Sequence, residues 1–181
     1  MNILISLLNL NLGGPTKFLL RLAKEFSKEN NIYIYDFYPY INDIDINSKK
    51  YAGINFISVK DNKTDWINWK VNGLLKKVSR KENYWETIRN KHFEKCIKKY
   101  NIQIVLSTQK KIDHIVGPIA KKNKIPFVIR LNSDYEVNSK NTSDLKTSQQ
   151  IIKNLSGIIY TADYHFNNLK NKLSLSSDIK E

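Results

Sequence analysis

A chain of 181 residues, 41% hydrophobic and 26% charged, has a globular composition and enough length to bury one sizeable core. Its formal charge of +13 rests on 30 Lys+Arg against 17 Asp+Glu, and almost all the cations are lysine. Lysine lacks the planar fork that reads base edges. The excess therefore argues for diffuse attraction to anionic surfaces, or a bias toward Lys, Asn and Ile, more than for sequence-specific nucleic-acid binding. The single cysteine, Cys96, excludes an internal disulfide framework and a multi-cysteine zinc site.

No apolar run approaches the roughly 18 residues of a membrane-spanning helix. Met1 to Leu8 has no basic leader and no small-residue cleavage site, so it reads as a buried strand and not a signal peptide. A cytoplasmic protein is expected. Ile3–Leu8 is nearly continuous apolar sequence, as in a strand covered on both faces. Asn9–Pro15 is a turn rich in breakers. Phe18, Leu19, Leu22, Ala23 and Phe26 then share one face of a helix that ends at Asn30–Asn31. Ile32–Phe37 is β-branched and aromatic, a second strand. Strand, glycine turn, helix and strand make a βαβ unit with a right-handed crossover.

Tyr38–Lys50 is polar and reads as irregular, and Asn55–Val59 is a third strand. Asp65–Tyr100 is helical in pattern, with a break near residues 81–83. One apolar stripe runs through Ile67, Val71, Leu74, Leu75 and Val78, and another through Trp85, Ile88, Phe93, Cys96, Ile97 and Tyr100. Ile102–Ser107 is a fourth strand. Ile112, Ile115, Val116, Ile119 and Ala120 mark the next helix, where Gly117–Pro118 predicts a kink or a delayed start. Phe127–Leu131 is a fifth strand, Asn132–Thr147 a polar loop, and a short helix ends near Asn154–Gly157. Ile158–Tyr160 is a sixth strand, followed by a last helix from Thr161 to Leu169.

Strands alternating with helices predict an α/β fold. The expected form is a Rossmann-like, doubly wound, mostly parallel sheet of about six or seven strands with helices on both faces. One domain is expected over residues 1–172, with a frayed tail over 173–181. Ligands of such sheets bind at the carboxyl ends of the strands. That points to the loops Asn9–Pro15, Ser107–Lys111, Asn132–Glu136 and Thr161–Asp163.

Gly13 and Gly14 join the first strand to the first helix. Glycine allows close backbone approach, Pro15 suits the first helical position, and the free N–H groups there form an anion site. Lys17 adds a charge. The spacing is neither that of a dinucleotide fingerprint nor that of a P-loop, and a plain tight turn reads equally well. His92, His114 and His165 show no metal-ligand spacing with a third ligand, so neither metal nor cofactor is expected. His92 is assigned to the surface or between helices, His114 to polar surface, and Cys96 to a half-buried structural thiol.

The opening strand, the Asn-x-Gly-Gly loop and the helix ending in Leu22-Ala23-Lys24-Glu25-Phe26 resemble the start of family 4 glycosyltransferases. Ile102–Ser107 is similar to that family's fourth strand, Lys124–Ile129 to its "giPvv" strand, and Leu155–Asp163 to its "adaiiavSe" strand and turn. The resemblance spans nearly the whole chain in short, degenerate motifs. It implies the N-terminal, acceptor-side domain of a retaining GT-B enzyme, with the donor-binding second domain outside this sequence. On that implication Gly13, Gly14 and Lys17 face the diphosphate of a nucleotide-sugar donor. The loop after the fifth strand, with Asn132 where the family often has a catalytic histidine, and Asp134 beside it, faces the reaction centre or the acceptor hydroxyls. Asn can hydrogen-bond a sugar but lacks histidine's acid–base behaviour. Glu86 and Glu94 have the family's Glu-x7-Glu spacing but lie in a basic helical segment without the glycine-rich setting, and read as a chance match.

Residues 66–100 hold ten Lys/Arg against three Glu, and all three tryptophans of the chain, Trp66, Trp69 and Trp85. A basic helix with interfacial aromatics suits an anionic membrane surface. Trp66, Trp69, Lys70, Lys76, Lys77 and Trp85 are the candidate membrane or acceptor contacts, and an ordinary core stripe with a solvated face explains the same pattern. The reading adopted is sugar transfer from a nucleotide-diphosphate-sugar to a glycan or lipid-linked acceptor, by a chain inactive without its donor-binding half. The alternatives are a noncatalytic module for anionic lipid or RNA, and half of a sugar-nucleotide epimerase. No specific nucleic-acid partner is expected.

Overall fold

A computed structural model describes residues 1–11, 13–39, 43–68, 70–71, 84–107, 109–131, 142–160, 163 and 167. Six strands form one sheet: β1 (Asn2–Leu7), β2 (Asn31–Asp36), β3 (Ile54–Ser58), β4 (Ile104–Ser107), β5 (Phe127–Arg130) and β6 (Gly157–Ile159). All neighbours pair in parallel, in the order β3-β2-β1-β4-β5-β6. The chain starts in the middle, winds outward through β2 and β3, then returns to β4 beside β1 and winds the other way. The β1/β4 boundary is therefore the topological switch point.

The helices are α1 (Gly14–Phe26), α2 (Tyr84–Lys99), α3 (Lys110–Lys122) and α4 (Thr142–Ile152), and residues 63–68 are also helical. Alternation along the strands sorts the apolar side chains into two cores, because successive residues face opposite sides of a sheet. Ile3, Ile5, Leu7, Ile32, Ile34 and Ile54 pack with Leu19, Leu20 and Ala23 of α1. Leu4, Tyr35, Phe37, Val105, Phe127 and Ile129 pack on the other face with Phe93 and Ile97 of α2, Val116 of α3 and Ile151 of α4. Both faces are covered, which is why β1 reads as one apolar run and not as an alternating one.

The helix α3 does not start late. It runs unbroken from Lys110 to Lys122 through Gly117–Pro118, and Gly117 lets its neighbours pack close. A Cβ at Gly117 would stand 3.1 Å from both Asn154 Cβ and Phe127 Cε1.

Two other expectations are corrected. His92 is buried, not superficial: its Nδ1 lies 2.9 Å from the Tyr35 hydroxyl, against the sheet, and burial lowers its pKa. Cys96 is buried rather than half-buried, and burial pushes its thiol up to about 12, leaving it an inert core residue. Glu94 is occupied in an ion-pair clamp, 3.0 Å from Lys122 of α3 and 3.2 Å from Lys98.

Candidate functional site

The loops after β1 and β4 diverge at the switch point. They are tied there by Gln109, the N-cap residue of α3, whose Oε1 accepts from the Leu8 amide at 2.5 Å. Gly13 caps α1 with extended backbone (φ −68°, ψ 164°), and its carbonyl accepts the Lys17 amide at 3.0 Å. Among the described residues no side chain caps this helix, and no acidic residue occupies its first turn. The positive end of the helix dipole at the strand ends therefore has no described side-chain acceptor.

Gly14 is exposed, and a Cβ built on it would meet no described atom within 4 Å. Neither packing against the described residues nor a left-handed backbone requires glycine there.

Two further cations stand near this opening. Arg130, the last residue of β5, lays its guanidinium 3.8 Å from the ring centroid of Phe18, one turn into α1. Lys17 is exposed and lines a cavity with Arg21 and Lys24 along the flank of α1.

Two buried carboxyls complete the strand ends. Asp113, in the first turn of α3, is fully buried and accepts a hydrogen bond from the Ser107 hydroxyl. Burial raises its pKa well above the ordinary carboxylate value, against the opposing effect of that bond. Asp36 ends β2, 4% exposed, and accepts from the Tyr38 amide at 2.9 Å. Burial lifts it to about 7, opposed by that amide and by Lys60. It lines a cavity of about 130 Å³ with Leu10, Phe56, Ser58, Lys60 and Asp61.

Of the residues singled out from sequence, Gly13, Gly14 and Lys17 lie together at the start of α1. Trp66 and Lys70 also meet: Lys70 Nζ is 4.8 Å and Lys60 Nζ 5.3 Å from the Trp66 ring centroid. Trp69, Lys76, Lys77, Asn132 and Asp134, with the side chain of Trp85, lie outside the described residues. The first apolar stripe of the 66–100 segment is not core where it is described: Ile67 is 48% and Val71 47% exposed.

Sequence reasoning passed over Asp36, Gln109, Asp113 and Arg130. Asp36 carried a signal, an acid flanked by Tyr35 and Phe37 inside a strand buried on both faces. The other three gain their meaning from partners distant in sequence, or from a six-residue link that periodicity does not report.

No protein-family profile matches the chain, and no curated protein matches it. Among solved structures the chain is similar to the apo form of the lipopolysaccharide outer core galactosyltransferase WaaB. The TM-score is 0.57 at 12% identity, over all of this chain and 45% of that enzyme's. The chain thus spans less than half the length of the protein it matches, and at this identity the likeness carries the fold. The six-stranded parallel sheet and its switch-point opening have the Rossmann-like architecture of one half of a GT-B fold.

Proposed function

We propose that the chain is the acceptor-side half of a retaining glycosyltransferase of family 4 type. It would work with a donor-binding half to pass a sugar from a nucleotide-diphosphate donor to a hydroxyl of a glycan or lipid-linked acceptor. In that reaction the acceptor oxygen forms the new bond to the anomeric carbon as the bond to the diphosphate breaks. The diphosphate leaves with the electron pair and the acceptor hydroxyl gives up its proton. The observation that carries the reading is the start of α1, uncapped by any described side chain and acid-free in its first turn, at the β1/β4 switch point of this fold. Backbone N–H groups and the helix dipole there suit a developing diphosphate charge. Gly14 lets such a group approach, and Lys17 and Arg130 add positive charge.

Catalytic roles for Asn132 and Asp134 are part of this proposal, as is a cytoplasmic, peripheral location in cell-envelope polysaccharide synthesis. The deciding experiment assays transfer from radiolabelled nucleotide-sugars by residues 1–181 alone and with a donor-binding half supplied. No transfer alone and recovery with the partner half is expected. Robust transfer by the isolated chain sinks the half-enzyme reading.

A second property has its own support. Exposed Ile67 and Val71, one helical turn apart, stand beside Trp66, Lys60 and Lys70. This is the composition of a segment lying on an anionic bilayer. No helix among the described residues is long and apolar enough to cross one.

A further inference from the structure

A cavity of about 480 Å³ lies between α1 and the 3₁₀ turn Lys49–Tyr51. That volume is in the range of small-ligand sites. Its cations come from both walls. Lys17, Arg21 and Lys24 follow one another at i, i+4 and i+7 along α1, and Lys50 faces them from the 3₁₀ turn. The one carboxylate among the described lining residues, Glu25, is already ion-paired to Lys28.

Like charges three and four residues apart on a helix repel, and no described carboxylate pairs with Lys17 or Arg21. The cavity therefore holds uncompensated positive charge that an anion would relieve. Its floor is apolar: Leu20 is 4% exposed, and the Tyr51 ring is held edge-on against Phe56 with centroids 5.9 Å apart. Lys24 Nζ donates to the Ala52 carbonyl at 3.0 Å, which fixes the far wall to the helix.

We propose that this groove binds an organic phosphate. Phosphate oxygens would be taken by the Arg21 fork and by Lys17 and Lys50, with the carbon part of the ester lying over Leu20 and Tyr51. The site shares Lys17 with the opening at Gly13–Gly14 but extends away from it. Arg21 and Lys24 stand 7 and 10 residues beyond Gly14, about 10 Å and 15 Å along the helix axis at its standard rise. A diphosphate held at the helix start does not reach them. The phosphate group belongs either to a soluble ester or to an anionic phospholipid headgroup. Both present the same chemistry to the groove.

The test needs no sugar transfer and so stands apart from the reading above. Inorganic pyrophosphate is titrated into the chain by calorimetry at physiological salt. In parallel, the chain is sedimented with vesicles of phosphatidylglycerol in phosphatidylcholine. Each is repeated for Arg21→Glu/Lys50→Glu and for a control of equal charge change at exposed positions, Lys91→Glu/Lys111→Glu. Loss of two charge-assisted contacts should weaken the bound probe by at least about tenfold in the groove variant, with the control changed little. Saturable pyrophosphate binding with that pattern assigns a soluble ester. Vesicle binding with that pattern, and none to pyrophosphate, assigns a headgroup. If neither probe binds, or the control weakens binding as much as the groove variant, the groove is only part of a generally basic surface and the proposal fails. Should the double charge reversal not fold, Arg21→Gln/Lys50→Gln carries the same comparison.

Discussion

The hydroxyl of Ser107, the last residue of β4, donates to the carboxyl of Asp113 in the first turn of α3, and both residues are fully buried. The bond ties the end of β4 to the first turn of α3 beside the β1/β4 switch point. The second oxygen of Asp113, Oδ2, has no hydrogen-bond partner among the described residues, and burial pushes the carboxyl's pKa up. Because its folded pKa is raised, this group favours the fold most below the unfolded pKa of about 3.9, and that contribution is lost as pH rises toward the folded value. Asp113→Asn keeps an acceptor for Ser107 and has no proton to lose. Its stability relative to wild type should rise from pH 5 to pH 8. Ser107→Ala leaves the acid without its partner and should cost about 1–3 kcal/mol at pH 5. Urea unfolding at the two pH values measures both, and an Asp113→Asn variant that does not gain on wild type between pH 5 and pH 8 contradicts the buried-acid account.

Asp36 makes the same argument with a defined window. Its carboxyl titrates near 7 in the folded chain and near 3.9 unfolded. Its contribution to stability therefore falls as pH rises from about 4 through 7, by roughly 2–4 kcal/mol at about 1.4 kcal/mol per pKa unit. Asn at this position can still accept from the Tyr38 amide. Asp36→Asn should flatten the pH dependence of unfolding between pH 4 and 8 and raise stability at pH 8. Parallel curves for variant and wild type would mean that Asp36 is ionised in the fold.

Gly117 tests the packing between α3, β5 and the end of α4. Alanine is the better helix former by about 1 kcal/mol, yet its Cβ would press on the ring of Phe127, which is fully buried, and on Asn154 Cβ. Neither neighbour is the free end of a flexible chain, so overpacking of about 1–3 kcal/mol should win. Gly117→Ala is expected to lose roughly 1 kcal/mol net in a denaturant melt. A gain in stability would show that the helix–sheet spacing relaxes freely.

The strands were legible because burial on both faces writes itself as unbroken apolar sequence: Ile3–Leu8 and Ile32–Phe37 lie within one residue of β1 and β2. The doubly wound class followed from strand–helix alternation, and with it the expectation that the Gly13–Gly14 loop stands at the strand ends, whereas the strand order did not. What periodicity could not supply was partnership across the fold. His92 looks like any helical histidine until Tyr35, 57 residues earlier, meets it in the core. Arg130 ends a strand with no local signal that Phe18 lies beneath it. Ile67 and Val71 carry a core-like stripe that the fold leaves exposed, because amphipathic spacing fixes a face but not what that face meets.

Gly14 separates a ligand loop from a turn. No described atom stands within 4 Å of its Cβ position and its backbone is not left-handed, so Gly14→Val should fold, with loss of up to about 1 kcal/mol from the β-branched residue in the first helical turn. The same branched side chain would fill the opening at the helix start. In the chain joined to its donor-binding half, transfer should fall below detection while the circular dichroism spectrum is unchanged. Wild-type turnover by the folded variant would make the loop a turn and remove the main support for a diphosphate there.

The exposed pair Ile67 and Val71 gives the membrane reading a test that charge alone does not pass. Near an anionic surface each basic residue contributes about 1 kcal/mol, and that attraction fades beyond a Debye length. Inserted apolar side chains survive salt. Ile67→Ser/Val71→Ser keeps every lysine, whereas Lys76→Glu/Lys77→Glu keeps every apolar residue. If this segment docks on a bilayer, the charge variant should lose co-sedimentation with phosphatidylglycerol vesicles chiefly at low salt. The serine variant should lose the part that persists at physiological salt. Neither should change thermal stability by more than about 0.5 kcal/mol, since Ile67 and Val71 are half exposed and surface substitutions have effects of that size. Equal vesicle binding by wild type and the serine variant at physiological salt would remove Ile67 and Val71 from any membrane contact. A drop in stability of a core-cavity size, about 2 kcal/mol or more, would return them to packing.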